Sequence, residues 1–371
     1  MSKKLTCELG KYVPFAWFIS WPEYVSDYLY TDLLLREIDI FFDASKMGEP
    51  ILNSDLELCQ ERAIYFSVKS EQALELNWIA NFIDKLTFTN IFSSLPLPQV
   101  TLELSQNVFN RAQRSIGSII NRVDKICVIA DSIIINNLAQ FIDDIRFIKS
   151  FDKIIIFDFD FSRVPLNLWR EYSQKIIRMS IDGFSISFKQ PQENAEFILE
   201  FFIWLDAQTA LCGYESDGFF SYVKSNTKER ANSAYMNIYR ARLPLKGLGL
   251  GAESFFGFTR AVNVGNVDDY QTSLELGALP YKKIECLTYD QINYEQIILS
   301  LCAKSGISLE VLMSGFSPRQ RDTVKKRSSM LVREGFLSSR NEAGEGSEAI
   351  KLTRAGILQD DQVVAWLLRE Y

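Results

Sequence analysis

The run Ile154-Ile155-Ile156-Phe157, inside the segment 151–160, decides the fold class. Four consecutive apolar residues of this kind are typical of a strand that is buried on both faces of a parallel sheet. The next segment places apolar residues at helical spacing, at Leu166, Trp169, Tyr172, Ile176 and Ile177. A buried strand followed by an amphipathic helix is one βα unit, and it predicts an α/β protein.

The same alternation of short apolar runs and helix-period segments repeats along the first 211 residues. It predicts strands near 11–18, 62–68, 98–104, 122–130, 151–160 and 183–189, and helices near 22–43, 71–86, 106–118, 134–149, 166–180 and 193–211. Six βα units in succession predict a partial (β/α)6 TIM-like barrel. Functional side chains are then expected at the carboxyl ends of the strands.

The pattern changes twice after this region. Residues 212–289 predict a β-rich extension that contains Gly247-Leu248-Gly249-Leu250-Gly251-Ala252-Glu253-Ser254, a helix near 267–277 and a strand near 281–287. From residue 290, helices near 290–304, 308–314 and 317–334 precede a hairpin whose tip is 341–347. Three helices, a hairpin and a closing helix predict a winged-helix-like module. The domains are therefore predicted at 1–211, 212–289 and 290–371.

Charge and hydropathy narrow the setting in which the protein works. The net charge of −7 and the pI near 5.1 do not favour non-specific binding to nucleic acid or to an anionic membrane surface. No apolar run approaches the roughly 18 residues that a transmembrane helix needs. Glu8 interrupts any apolar core of a signal peptide, so a cytoplasmic location is expected.

Cysteine and histidine usage excludes several kinds of site. The chain has six cysteines, and the two closest, Cys286 and Cys302, are 16 residues apart, so no Cys-x-x-Cys pair exists. It has no histidine. Catalytic triads, zinc sites and haem ligation that use histidine are excluded.

The glycine-rich motif at 247–254 resembles the Gly-x-Gly-x-Gly-Ala-x-Ser signature of a known family. This is the HemN/HemW-type radical S-adenosylmethionine (SAM) family, the oxygen-independent coproporphyrinogen III oxidases and related heme chaperones. The sequence keeps the family's spacing at Arg260, Asn263, Tyr270, Gly277-x-x-Pro280, Leu331-x-x-Glu334-Gly335-Phe336-Leu337 and Leu352-Thr353-x-x-Gly356. Thr101-Leu102-Glu103 resembles its Thr-x-Glu strand. The resemblance implies a radical-SAM-type barrel.

The departures from the family concern its cofactors. Pro14-Phe15 resembles the start of the cluster-binding loop, but Ala16, Ser20 and Glu23 stand where the family has three cysteines. A [4Fe–4S] cluster needs thiolate ligands. The family's Gly-Gly-Gly-Thr-Pro stretch, which holds SAM, is Ser67-Val68-Lys69-Ser70-Glu71 here. The resemblance therefore implies that cluster and SAM are both lost, with no metal and no cofactor bound. Cysteines restored at 16, 20 and 23 would bind a cluster again if the loop geometry survives.

The vacated site defines the candidate residues. The ligand-binding candidates are Glu103, Glu253, Lys69, Arg122, Trp17 and Trp21. The two glutamates are placed at the barrel mouth, where the alternative is a satisfied carboxylate paired with Arg122, Lys69 or a backbone N–H. Trp17 and Trp21 either fill the space of the cluster or stack on a planar ligand.

Three functions remain open. The first is a cluster-less pseudoenzyme that binds a small molecule or serves a partner, such as a radical SAM paralogue or another biosynthetic protein. The second is an enzyme with non-radical chemistry, using Glu103 and Asp160 as acid and base. The third is a nucleic-acid-binding regulator, because residues 304–354 hold ten lysines and arginines against six acidic residues, a net charge of +4. Nucleic acid is the less favoured partner, and no membrane is expected.

Overall fold

The structure is a computed structural model that describes residues 14–22, 27–45, 62–69, 77–88, 97–131, 153–189, 194–227, 233–314, 316–341 and 348–369. The strands are β1 (Ala16–Trp21), β2 (Ala63–Val68), β3 (Gln99–Ser105), β4 (Lys125–Asp131), β5 (Ile154–Asp160), β6 (Gly183–Ser187), β7 (Tyr214–Gly218), β8 (Ser221–Lys224), β9 (Leu245–Gly249), β10 (Glu253–Phe256), β11 (Thr259–Asn263), β12 (Tyr281–Cys286), β13 (Ile307–Ser308), β14 (Leu337–Asn341) and β15 (Glu348–Leu352).

The helices are α1 (Asp27–Ser45), α2 (Asn77–Phe88), α3 (Gln106–Ile119), α4 (Trp169–Arg178), α5 (Ala195–Leu211), α6 (Ala234–Arg240), α7 (Val267–Glu275), α8 (Tyr289–Cys302), α9 (Leu309–Leu312), α10 (Pro318–Arg333), α11 (Arg354–Ile357) and α12 (Asp360–Leu368). The chain forms two compact units. The first comprises 1–158 and 230–289, and the second comprises 159–229 and 290–371. No helix among the described segments is long and apolar enough to cross a membrane.

The first unit is built on a mostly parallel sheet. Its strand order is β12-β11-β10-β9-β1-β2-β3-β4. Strands β1 to β4 run parallel to one another, and β9 pairs parallel with the other side of β1. Strands β10, β11 and β12 then continue antiparallel. These strand directions confirm the predicted α/β class with a parallel sheet. Each parallel pair needs a long crossover connection, which the intervening segments supply.

The outer strand of this order, β12, is mostly exposed. The charged residues Lys282, Lys283 and Glu285 flank an exposed Ile284, and the Lys283 ammonium lies 2.5 Å from the Glu285 carboxylate. Its inner neighbour β11 is buried at alternate positions. The sheet therefore ends, among the described strands, on a charged surface.

The second unit contains β6, β8 and β7, in that order and antiparallel, together with α4, α5 and the tail. In the tail, α8 leads to β13, α9 and α10, and then to the hairpin β14–β15, which forms the antiparallel sheet β13-β15-β14. A buried cluster that includes Leu301, Leu331, Leu352, Val364 and Leu367 holds these elements together. Ser317 and Gln320 form a capping box at the start of α10.

The first predicted strand is displaced. The sequence predicted it at 11–18, whereas β1 is Ala16–Trp21 and residues 11–13 lie outside the described part. Pro14 cannot donate to a strand ladder. The backbone N–H groups of Phe15 and Ala16 both reach the carbonyl of Pro244 instead, so regular pairing starts later. The predicted helix at 134–149 and the hairpin tip at 342–347 also lie outside the described residues.

The two compact units differ from the three domains that the sequence predicted. The boundary near 289 coincides with the division between Tyr289 and Asp290. The boundary at 211 has no counterpart, because residues 159–211 belong to the same unit as the tail and residues 230–289 belong to the same unit as β1 to β4.

Candidate binding site

Strand β1 presents different side chains to its two faces. Trp17 and Trp21 are fully buried against the helices. The ring of Trp17 meets Phe41 of α1 at 5.6 Å between centroids, and Trp21 meets Tyr30 of α1 at 5.0 Å and Trp78 of α2 at 4.3 Å. Both candidate ligand-binding tryptophans are therefore core residues. They lie on the face of β1 that packs against α1 and α2, because residues four apart in a strand share one face.

Two of the three vacated cluster positions lie on a strand. Ala16 and Ser20 are both inside β1, paired in register with residues of β2 and β9, and Glu23 lies outside the described residues. Four residues of strand span roughly 13 Å at about 3.3 Å each, so side chains at 16 and 20 cannot converge on one cluster. The connection from β1 to α1, residues 22–26, contains no cysteine. The donor groups present do not fit a [4Fe–4S] cluster.

The stretch that replaces the family's SAM-binding glycines is also ordinary strand where it is described. Ser67 and Val68 are buried in β2, and Lys69 follows as an exposed residue whose N–H donates to the Trp21 carbonyl at 2.9 Å. Ser70 and Glu71 lie outside the described residues. A side chain at each described position blocks the close backbone approach that glycines permit.

Glu103 is held by two hydroxyl groups of the neighbouring strand. Its Oε2 accepts a hydrogen bond from the Tyr65 hydroxyl at 2.6 Å, and its Oε1 accepts one from the Ser67 hydroxyl at 2.5 Å. Register explains this contact, because Tyr65 pairs with Thr101 and Ser67 with Glu103 across β2 and β3. The alternative that the Glu103 carboxylate has hydrogen-bond partners within the protein is thus correct. Its partners are hydroxyl groups, whereas Arg122, Lys69 or a backbone N–H was expected.

The cations expected near Glu103 lie elsewhere. Lys69 is exposed at the end of β2. Arg122 lies just before β4, where its guanidinium pairs with Asp84 of α2 and donates to the Ala80 carbonyl at 3.4 Å. The amino and carboxyl ends of parallel strands are on opposite edges of a sheet. Arg122 therefore lies at the amino ends of the strands, away from Lys69 at their carboxyl ends, and it forms an ion pair at the surface.

The groups around Glu103 keep their protons at neutral pH. Burial raises the pKa of Tyr65 well above 10.0, with further contributions from Cys127 and Glu103. Burial likewise raises the pKa of the Cys127 thiol well above 9.0, helped by Glu103 and Asp158. The Cys127 thiol is therefore protonated at neutral pH, and a protonated thiol is a poor nucleophile and metal ligand.

An aromatic cavity of ≈ 260 Å³ adjoins the layer formed by Phe18, Tyr65, Ser67 and Glu103. Its walls include Phe18, Tyr235, Tyr239, Arg242, Glu253 and Phe255. Tyr235 links the cavity to the Glu103 layer, because its ring lies 4.7 Å from that of Tyr65 and 5.9 Å from that of Phe18. Burial raises the pKa of Tyr235 above 10.0, assisted by Tyr239, Glu103 and Glu253. The charges of both predicted glutamates, Glu103 and Glu253, therefore help to raise the pKa of Tyr235.

Arg242 completes a stack of rings along the cavity. Tyr239 lies 6.4 Å from Tyr235 with nearly parallel planes, and the Arg242 guanidinium lies 4.9 Å over the Tyr239 ring and 5.5 Å over that of Phe255. Such cation–π contacts favour a fixed, flat guanidinium. Tyr235, Tyr239 and Arg242 were missed from the sequence, although the two tyrosines share one face of α6 at i and i+4 spacing.

Glu253 lies at the partly open side of the cavity. Its Oε1 is 2.8 Å from the Arg260 Nε, and Arg260 also lies 4.0 Å from Glu285. The Glu253 side chain keeps 44% of its surface exposed. Its carboxylate is thus oriented by one arginine and still able to accept a hydrogen bond from a bound molecule.

Glu37, which was also missed from the sequence, organises the glycine-rich motif. It is fully buried on the apolar face of α1, and it accepts hydrogen bonds from four groups. They are Lys246 Nζ at 2.7 Å, Asn263 Nδ2 at 3.0 Å, the Gly249 N–H at 2.9 Å and the Tyr270 hydroxyl at 2.5 Å. A carboxylate on the apolar stripe of a helix was the sequence signal for this network.

The basic tail is largely engaged or solvated. Arg354 is 10% exposed and contacts both carboxylate oxygens of Asp206 in α5, at 2.7 and 2.9 Å. On α10, Arg319, Lys325 and Lys326 are exposed.

Asp160, the other acid/base candidate, accepts a hydrogen bond from the Ser162 N–H at 2.8 Å and so stabilises the turn after β5. Among the described residues, no group of three or more cysteine, aspartate or glutamate side chains could hold a metal ion.

Comparison with known proteins gives a fold and no sequence family. No family model matches the chain, and no curated protein matches it. The structure is similar to that of coproporphyrinogen III oxidase (HemN) from Escherichia coli, a radical SAM enzyme, with a TM-score of 0.64. The likeness covers 99% of this chain and 92% of that chain at 11% identity. The resemblance seen in the sequence is confirmed as a shared fold.

Proposed function

We propose that this chain is a radical-SAM-type protein that works without an iron–sulfur cluster and without SAM, and that it binds a small molecule in its first unit. In this proposal β1 to β6 and their helices are a partial (β/α)6 barrel, and the tail is a winged-helix-like module. The element order α8-β13-α9-α10-β14-β15 supports the second assignment. The shared fold with E. coli HemN supports the first.

One observation carries the proposal. The face of β1 to β3 opposite α1 carries a layer of contacting side chains, Phe18, Tyr65, Ser67 and Glu103, with an aromatic cavity beside it. The positions that would supply thiolates are a buried alanine and a serine inside a strand. Pockets that are mostly aromatic, with a few oriented polar groups, are typical of small-molecule sites.

Anaerobic reconstitution with iron and sulfide tests the proposal. We expect iron and sulfide well below one per chain, no thiolate-to-iron absorbance, and no 5′-deoxyadenosine from SAM and dithionite. The triple variant Ala16→Cys, Ser20→Cys, Glu23→Cys should also stay cluster-free, because two of its thiols would be spread along one strand. Four irons per wild-type chain, or reductive cleavage of SAM, would overturn the proposal.

A non-radical enzyme is less well supported. Both Glu103 oxygens already accept strong hydrogen bonds from Tyr65 and Ser67, whereas a general base needs an oxygen within reach of the substrate.

Binding of nucleic acid through the tail is tested by gel retardation of duplex DNA at physiological salt. We expect no retardation. A shift that disappears in Arg319→Ala, Lys325→Ala, Lys326→Ala and weakens steeply with salt would favour that function instead.

A further inference from the structure

The turn after α6 holds an arginine where the backbone favours glycine. Arg242 has φ = +52°, in the left-handed region. Its N–H donates to the Tyr239 carbonyl, and the Leu243 N–H donates to the Ile238 carbonyl. These two bonds, with Leu243 packed on Ile238, define a Schellman motif in which residue 242 is the C′ position. Glycine is the usual residue there because any Cβ is sterically unfavourable.

Backbone strain at a non-glycine residue points to a role for its side chain. A cation at a helix end gains from the helix dipole, but that gain needs only a positive charge and no fixed orientation. The Arg242 guanidinium is oriented, because it lies between the rings of Tyr239 and Phe255 and forms part of the cavity wall. The side chain is therefore placed for the cavity.

The cavity's other groups limit what could bind. The rings of Phe18, Tyr235, Tyr239 and Phe255 favour a flat apolar body. The planar guanidinium favours a carboxylate or a phosphate. Glu253, also in the wall, disfavours a dianion such as a phosphate ester and accepts a hydrogen bond from an N–H or O–H donor. A volume of ≈ 260 Å³ holds roughly nine waters at about 30 Å³ each, which suits one or two fused rings.

We propose that this cavity binds a small aromatic monocarboxylate that carries an N–H or O–H donor, with its carboxylate on Arg242, its ring along the Tyr235–Tyr239 stack and its donor on Glu253. This inference rests on the proposed small-molecule function and adds the chemical class of the ligand. It assigns Arg242 as the residue that selects an acid.

Ligand-observed NMR and calorimetry on the full chain test the class with a small panel. The probes are indole-2-carboxylate and indole-5-carboxylate. Indole lacks the acid, cyclohexanecarboxylate lacks the aromatic plane, naphthalene-2-carboxylate lacks the donor, and phenyl phosphate replaces the acid by a dianion. We expect at least one indole carboxylate to bind at least tenfold more tightly than every other compound.

Variants then assign the residue. Arg242→Gly should lose binding at least tenfold while the melting temperature stays equal or rises, because glycine relieves the turn. Arg242→Lys keeps the charge, and it should also weaken binding because an ammonium cannot make two parallel hydrogen bonds. Ser180→Gly is the matched control. Ser180 is a non-glycine residue with φ = +54° after α4, in the other unit, so its replacement should leave binding unchanged.

The outcomes separate this inference from the proposed function. Equal binding by wild type and Arg242→Gly would overturn it, as would equal binding of indole and its acids, tighter binding of phenyl phosphate, or no binding by any probe. If Arg242→Gly does not fold, Arg242→Lys is decided by the same tenfold criterion. A cluster-free protein that binds none of the probes would refute the ligand class and leave the proposed function standing.

Discussion

At the scale of single residues, Glu103 shows how an acid inside a strand is held. Tyr65→Phe removes one of its two hydroxyl donors and leaves a partly buried carboxylate oxygen without that bond. We expect a loss of roughly 1.5–3 kcal/mol in the free energy of unfolding, as is usual for hydrogen bonds to charged groups. Urea unfolding followed by circular dichroism measures it.

The matched control for Tyr65→Phe is Lys69→Ala, an exposed residue just after the same strand. It should change the free energy of unfolding by no more than about 0.5 kcal/mol. If Tyr65→Phe were equally neutral, the hydrogen bond from Tyr65 to Glu103 would have no part in stability, and the layer would be held by ring packing and the Ser67–Glu103 bond.

Glu37 and Lys246 form an ion pair with no exposed side-chain surface. Glu37→Leu should cost about 3–5 kcal/mol, because it leaves a buried ammonium unpaired. Lys246→Met should cost less, since Glu37 keeps its contacts with Asn263, Gly249 and Tyr270. Urea unfolding of the single and double variants gives the coupling energy.

The double variant Glu37→Leu, Lys246→Met should remain less stable than Lys246→Met, because the Gly249 N–H and the Tyr270 hydroxyl lose their bonds to Glu37, whereas Asn263 keeps its bond to the Gly249 carbonyl. Recovery to wild-type stability would show that the ion pair is the whole of the network. Lys175→Ala is the surface control. Its pair with Glu171, at 2.8 Å and half-exposed, should contribute no more than about 0.5 kcal/mol.

Only some of the residues around the candidate site could be predicted from the sequence. Glu103 and Glu253 could be found because a carboxylate in an apolar strand or beside a glycine motif stands out. Whether Trp17 and Trp21 pack or bind a ligand stayed open, because a two-residue periodicity defines two strand faces without saying which one a helix covers. Tyr65 and Ser67 became partners of Glu103 through the parallel register of β2 and β3, which no local pattern specifies.

At the scale of elements, β9 explains the glycine-rich motif. A Cβ added at Gly247 would overlap the backbone of Glu253, and one added at Gly249 would overlap the Ser20 carbonyl and the Tyr30 hydroxyl. We expect Gly247→Ala and Gly249→Ala each to destabilise the protein by several kcal/mol, or to prevent folding, because backbone on both sides cannot move away. Soluble yield and thermal unfolding report the effect.

Gly117→Ala is the control for these substitutions. Gly117 lies within α3, its added Cβ would meet nothing within 4 Å, and its φ is not positive. Alanine there should stabilise the chain by about 0.5–1 kcal/mol. Tolerance of Ala at 247 or 249 would mean that the β9–β10 turn can open, and that the motif does not need close packing.

The element types were mostly predictable, and the pairing of β9 with β1 was not. Short apolar runs and helical spacing identified β2 to β6 and α3 to α5 because these are local signals. Strand β9 joins β1 across more than 200 residues, and its sequence reads as a turn because it is rich in glycine. Long-range pairing of this kind is decided by tertiary packing, so the motif was assigned to a separate extension.

At the scale of the whole molecule, several buried groups give stability the same pH dependence. Burial alone would lower the pKa of Lys246, but Glu37 and Tyr281 outweigh it, and the net pKa is raised above 10.5. Burial, with Glu37 and Tyr30, raises the pKa of Tyr270 well above 10.0. A raised folded pKa means that the stabilisation is complete below the unfolded pKa and is lost as pH rises through the folded pKa.

We therefore expect the free energy of unfolding to fall steadily as pH rises above about 10, where the unfolded chain begins to lose these protons. Urea titrations at intervals from about pH 8 to 11.5 measure the slope. Tyr270→Phe should reduce the slope, because one tyrosine no longer titrates. A stability that stays flat across this range would contradict the assigned directions.

The exposed outer strand β12 has a consequence for how the molecule behaves at high concentration. A strand with one unpaired row of N–H and C=O groups is a template on which another chain can add a strand. Lys282, Lys283 and Glu285 surround Ile284 with charge on this strand, and charge opposes such addition. We therefore expect these charged side chains, which lie outside the core, to oppose growth of the sheet at β12.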